Sequence, residues 1–114
     1  MIWLTTYQQS KIRELATAKP AEETCGFALS DGSVVEVDNI ANNREQAFEI
    51  SPHDYARYDE NIAGVWHSHL ELPAFSQLDQ QVIMADTLPW AVYCLADDSF
   101  TECSFEGTAP LEGR

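Results

Sequence analysis

Ile62-Ala63-Gly64-Val65-Trp66-His67-Ser68-His69 is the stretch on which the reading of this chain turns. Its apolar run passes into alternating His, Ser and His, the pattern of a central strand that ends in a polar tip. Residues two apart on a strand point to the same face, so His67 and His69 present both imidazoles to one point while Ser68 turns away. Paired imidazoles suit Zn²⁺, which binds His nitrogen at about 2.0 to 2.1 Å and, in catalytic sites, takes three protein ligands and leaves a fourth position to water. A carboxylate is then wanted nearby. Asp79 follows on the first turn of the next expected helix, where its side chain can fold back over the strand tip. Ser76-Gln77-Leu78-Asp79 also matches a helix capping box, and the two uses are compatible because a carboxylate has more than one lone-pair direction.

Outward from that strand, residues 6 to 18 carry Ile12, Leu15 and Ala16 at helical spacing, with Thr5 or Thr6 as the cap and Pro20 just past the end. Cys25 to Leu29 and Val34 to Val37, joined by Ser30-Asp31-Gly32-Ser33, read as a β-hairpin. Asn39 to Gln46 is a polar loop, and Ala47 to Ile50 a short strand. Ser51-Pro52 supplies the cap and first position of a second helix through about Asn61, with Tyr55 and Tyr58 facing inward. After the central strand and a short loop, Ser76 opens a third helix to about Thr87. Trp90 to Leu95 and Phe100 to Phe105 then form a hairpin across Asp97-Asp98. The expectation is an α+β domain with a mixed β-sheet packed by about three helices. Residues 1–106 form the domain and 107–114 a flexible tail.

With 114 residues, 45% apolar, including five Phe, four Tyr and three Trp, the chain can build one ordinary core. Six Lys and Arg against 19 Asp and Glu give a formal charge of -13, a field that repels phosphate backbones and disfavours nucleic acid as a partner by charge alone. No stretch reaches the roughly 18 to 20 apolar residues that span a bilayer, and no basic start precedes an apolar run, so neither membrane insertion nor a signal peptide is expected. Cys25, Cys94 and Cys103 lack disulfide-framework or Cys-x-x-Cys spacing and read as buried thiols. A thiol nucleophile formed by Cys25 and a histidine is disfavoured, because nothing supplies an activating environment. His53 reads as a surface residue, and Trp66, Trp90, Phe27 and Tyr93 as core.

Taken together, Glu23-Thr24-Cys25-Gly26-Phe27, Gly64-Val65-Trp66-His67-Ser68-His69 and Ser76-Gln77-Leu78-Asp79 resemble the JAMM signature of the JAB/MPN metalloproteases. The resemblance extends to the JAB domain at the front of lambda-type phage tail tip assembly proteins, through Pro20-Ala21-Glu22-Glu23-Thr24-Cys25-Gly26-Phe27, Ile50-Ser51-Pro52 and Leu88-Pro89-Trp90. It implies a JAB/MPN-like, cytidine-deaminase-like architecture and a zinc-dependent peptidase or isopeptidase. His67, His69 and Asp79 would be the zinc ligands, Glu23 the acid/base, and Ser76 the donor to the tetrahedral intermediate. Glu22 is the neighbouring alternative to Glu23. It further implies a peptide, isopeptide or peptidoglycan-peptide substrate, other tail tip proteins or a separate NlpC/P60 peptidase as partners, and a place in the host cytoplasm during assembly or at the virion tail tip. One departure stands out: six residues, Leu70 to Phe75, separate His69 from Ser76, one fewer than the family's usual seven. A catalytically silent structural module of the tail tip that keeps the fold is the alternative reading.

Overall fold

The 62–69 segment is the middle strand of a five-stranded sheet in the computed structural model, which describes residues 4–70 and 88–103. In chain order the elements are α1 (Thr6–Thr17), β1 (Cys25–Leu29), β2 (Val34–Val37), α2 (Pro52–Tyr58), a 3₁₀ turn (Asp59–Asn61), β3 (Ile62–His69), β4 (Trp90–Cys94) and β5 (Ser99–Cys103). The strands are ordered β2-β1-β3-β4-β5. β3 and β4 run parallel, from Val65 beside Trp90 to His69 beside Cys94, and the other neighbours are antiparallel. The mixed sheet and α+β class are as the sequence suggests.

Local chemistry explains the element ends. Thr5 caps α1: its Oγ1 accepts the Gln8 N–H at 3.1 Å, and Gln8 Oε1 accepts the Thr5 N–H at 2.8 Å, a reciprocal box whose cap residue is worth about 1 kcal/mol. Ser51 caps α2 by accepting the Asp54 N–H on its hydroxyl at 3.1 Å, with Pro52 at the first turn where its missing N–H costs nothing. In the β1–β2 hairpin the Gly32 N–H donates to the Leu29 carbonyl at 2.9 Å and the Leu29 N–H to the Ser33 carbonyl at 2.8 Å. Gly32 has φ +93°, so the loop is a three-residue connection closed by a left-handed glycine.

Each face of the sheet has its own core. Ala28, Val34, Trp66, Ala91 and Tyr93 pack with Leu4, Ile12 and Ala16, so α1 covers this face. Cys25, Phe27, Val37, Val65, Trp90 and Val92 pack on the other with Ile50, and the rings of Tyr55 and Tyr58 lie 5.3 and 5.6 Å from Phe27. Both tyrosines therefore face inward as expected. The sorting follows strand alternation, which sends successive side chains of β3 and β4 to opposite faces.

Three expectations need correction. Residues 47–50 are not a strand: the Ile40 N–H reaches the Glu49 carbonyl at 2.9 Å, but the Glu49 N–H goes to the Asn39 side chain at 3.1 Å, so a side-chain amide interrupts the ladder. The second helix ends at Tyr58 and finishes as the tighter 3₁₀ turn. β4 stops at Cys94, because the following turn carries Asp98 at φ 55°. The third helix expected at 76–87 and the tail at 107–114 lie outside the described residues, as does the side chain of Cys103. Cys25 and Cys94 are free and buried.

Candidate metal centre

Strand register builds the site. Cys25 lies opposite His67 in the antiparallel β1–β3 pair. Continuing two residues back along the chain carries Glu23 to the level of His69, on the same face as both imidazoles. One ligand atom from each of Glu23, His67 and His69 lies within 4.8 Å of the others. All three residues are buried, at 5%, 0% and 5% exposure, which sets them apart from a solvated acidic surface. Glu22, by contrast, is half-buried beside a cavity and is not in the cluster.

Neighbouring groups fix these side chains. The phenyl ring of Phe48 stacks on the His67 imidazole with centroids 4.1 Å apart and planes inclined by 20°, and Trp90 meets the same imidazole edge-on at 5.9 Å. Around Glu23 the main chain is held on every side. Its N–H donates to the Arg44 carbonyl at 2.7 Å and its carbonyl accepts from Asn39 Nδ2 at 2.9 Å. The next residue, Thr24, exchanges two bonds with Ser68, which sits between the histidines. Asn39, Phe48 and Ser68 are the residues that sequence reasoning missed. Alternation turns Ser68 away from the imidazoles, and its hydroxyl accepts the N–H of Thr24, just ahead of β1.

The donor set fits a zinc ion. Two nitrogens bound tetrahedrally at about 2.0 to 2.1 Å stand roughly 3.3 to 3.4 Å apart. His67 Nε2 and His69 Nε2 are 3.3 Å apart. Imidazole nitrogens and a carboxylate oxygen are also ligand types that zinc takes with an open position. Ser76 and Asp79 lie outside the described residues, so the histidines and Glu23 carry the geometric case.

Cys25 is adjacent to this cluster but is no nucleophile. Burial, with smaller contributions from Glu36, Asp54, Glu23 and Asp38, pushes its thiol up to about 12. The sulfur sits 3.8 and 3.9 Å from the carbonyl oxygens of Val37 and Asp38, to which the S–H donates. A protonated, backbone-bonded thiol has the wrong protonation state for attack.

A cavity of about 270 Å³ opens next to Glu23, lined among others by Lys19, Glu22, Glu36, Asp38 and Arg44. Lys19 is held by Glu36 at 2.7 Å, which leaves acid in excess along the wall. His53 is exposed, as expected. Among the described residues no helix is long and apolar enough to cross a membrane.

Comparison with known proteins agrees with the fold. A family model described as prokaryotic homologs of the JAB domain matches residues 5–106. No curated protein sequence matches significantly. The fold is similar to the solution structure of protein DSY2949 from Desulfitobacterium hafniense, with a TM-score of 0.66 and 21% identity over 88% of each chain.

Proposed function

The chain belongs to the prokaryotic homologues of the JAB domain, and from that premise we propose that it is a zinc-dependent peptidase or isopeptidase-type hydrolase domain of a phage tail tip assembly protein. The observation that carries this reading is the buried convergence of Glu23, His67 and His69. The two imidazoles would hold the ion through Nε2, with Asp79 as the third ligand implied by the family signature. Zinc bound there would supply Lewis acidity, polarising a carbonyl and acidifying water.

The remaining chemistry belongs to side chains. Glu23 would take a proton from the attacking water and deliver it to the leaving amine. Ser76 would donate its hydroxyl proton to the developing oxyanion. The substrate would be a peptide, an isopeptide or a peptidoglycan peptide, and the chain's net charge of -13 favours basic groups on it or on a protein partner. Other tail tip proteins and a separate NlpC/P60 peptidase are the proposed partners, in the host cytoplasm during assembly and at the virion tail tip.

The loop between His69 and Ser76, one residue short of the family's usual length, favours a second reading: a tail tip module that keeps the fold without turnover. Metal content and hydrolysis separate the two. The enzyme reading expects one zinc per chain in protein purified without added metal, loss of that zinc in His67→Ala, and chelator-sensitive cleavage in a panel of peptide, isopeptide and peptidoglycan-peptide substrates. Absence of zinc, with no change on His67→Ala, sinks it. Retained zinc without cleavage of any substrate favours the structural module.

A further inference from the structure

We infer that Asn39 is a positioning residue for the metal centre, its one amide setting both the backbone of Glu23 and the ring that orients His67. The inference rests on the reading of Glu23, His67 and His69 as a metal-binding cluster. Asn39 is 8% exposed. Its Nδ2 donates to the Glu23 carbonyl at 2.9 Å and to the Ala47 carbonyl at 3.0 Å. Its Oδ1 accepts the Ala41 N–H at 3.0 Å and the Glu49 N–H at 3.1 Å. A side-chain amide has two donor hydrogens and two acceptor lone pairs, and here every one is used.

The choice of partners is what ties this amide to the site. Ala47 and Glu49 flank Phe48, whose ring lies on the His67 imidazole. The segment carrying that ring has no strand ladder to hold it. Besides the amide, its main chain is fixed by the Ile40–Glu49 bond and by the Asn43 carbonyl, which accepts the Ala47 N–H at 2.9 Å. Asn39 thus joins three backbone points: one beneath the acid and two on either side of the stacking phenyl. No similar side chain reproduces the pattern. Asp would turn a lone pair toward the Glu23 and Ala47 carbonyls, Ser has one donor, and Gln is a methylene too long for the same four partners.

Groups that orient a metal ligand typically cost about 10–100-fold in metal affinity when removed. Asn39→Asp is therefore expected to weaken zinc binding by about that factor, measured by competition with a chromophoric chelator. A second readout needs neither metal nor activity. In metal-free protein the Phe48 ring shifts the His67 ring-proton resonances, and Phe48→Leu gives their value without it. In folded Asn39→Asp these resonances should move toward the Phe48→Leu value. In the wild type, through-hydrogen-bond couplings should connect the Asn39 side-chain nitrogen to the carbonyl carbons of Glu23 and Ala47.

Absent couplings overturn the inference, as does a folded Asn39→Asp with unchanged His67 resonances and zinc affinity. Should Asn39→Asp not fold, the couplings and the zinc affinity of Phe48→Leu decide, and an affinity equal to wild type overturns it. Failure of His67→Ala to lose zinc counts against the metal reading itself. The couplings and ring shifts of metal-free protein report separately on what Asn39 holds.

Discussion

Ser68 Oγ accepts the Thr24 backbone N–H at 2.8 Å while the Ser68 N–H donates to the Thr24 carbonyl at 2.8 Å, so the residue between the two histidines is bonded twice to the residue after Glu23. Both residues are buried. The tip of β3 and the approach to β1 are thereby locked in the register that brings acid and imidazoles together. Ser68→Ala removes the only acceptor this N–H has among the described residues, and a buried donor left unsatisfied costs about 1–3 kcal/mol. Urea unfolding should show that loss as a lower midpoint with unchanged slope. An unchanged midpoint would mean that Thr24 finds another acceptor without cost.

Glu23→Gln tests the role assigned to the acid. The amide matches the carboxylate in size, so the packing of this buried position survives, but it cannot take up a proton at neutral pH. If Glu23 is the acid/base, zinc stays bound at wild-type stoichiometry and hydrolysis falls by about 10²–10⁴. Loss of zinc together with activity would instead make Glu23 a ligand, the role its distance to both imidazoles also permits.

Much of this was legible because two periodicities and one motif did the work. The alternation in 62–69 places both histidines on one face, whereas Glu23 joins them only through the resemblance to the family signature. The signature joins two segments far apart in the chain, since Thr24 and Ser68 are separated by 44 positions. The segment 47–50 was misread for a physical reason: Ala47, Phe48 and Ile50 have strand composition, but the ladder they need is taken by the Asn39 amide. Nothing local marks one asparagine in a polar loop as a four-bond hub. Ala41, Ala47 and Glu49 follow it closely in the chain, but Glu23 reaches it across the β1–β2 hairpin, so tertiary context rather than propensity completes the set.

Gly26 is a place where only hydrogen fits. A Cβ built there would overlap the Val35 carbonyl oxygen and come within 2.9 Å of Trp66 Cζ2 and Nε1. Trp66 is fully buried, so the indole has no room to yield. Gly26→Ala should destabilise by about 1–3 kcal/mol or more, the range for overpacking a core. Gly32→Ala is the control, since nothing lies within 4 Å of its added Cβ and the cost there is the positive φ alone. That cost is about 1–2 kcal/mol. Thermal unfolding of the two variants should therefore rank Gly26→Ala as the more damaging, and the reverse order would show that β1 and β2 move apart freely.

The turn between β4 and β5 contributes a pH-dependent tie to α1. Asp98 Oδ1 accepts the Tyr93 hydroxyl at 2.6 Å and the Arg13 Nε–H at 2.7 Å, and the Arg13 guanidinium lies over the rings of Tyr93 and Phe100. The Tyr93 hydrogen bond, then the Arg13 bond, holds the Asp98 carboxyl below its ordinary value of 3.8. A depressed folded-state pKa means that the stabilisation is fully present above the unfolded value and is lost as pH falls through the folded one. Asp98→Asn should thus lower the Tm near about pH 7, with a gap to wild type that closes as the pH drops below about 4. Asp31 and Asp97 are depressed too, chiefly by their Ser33 and Ser99 hydroxyls, so the difference between wild type and variant is the quantity to follow rather than either curve. Tyr93→Phe should shrink the same gap, because it removes the first of the two donors. A gap that stays constant through the acid range would mean that the carboxylate charge of Asp98 contributes nothing to holding α1 against the sheet.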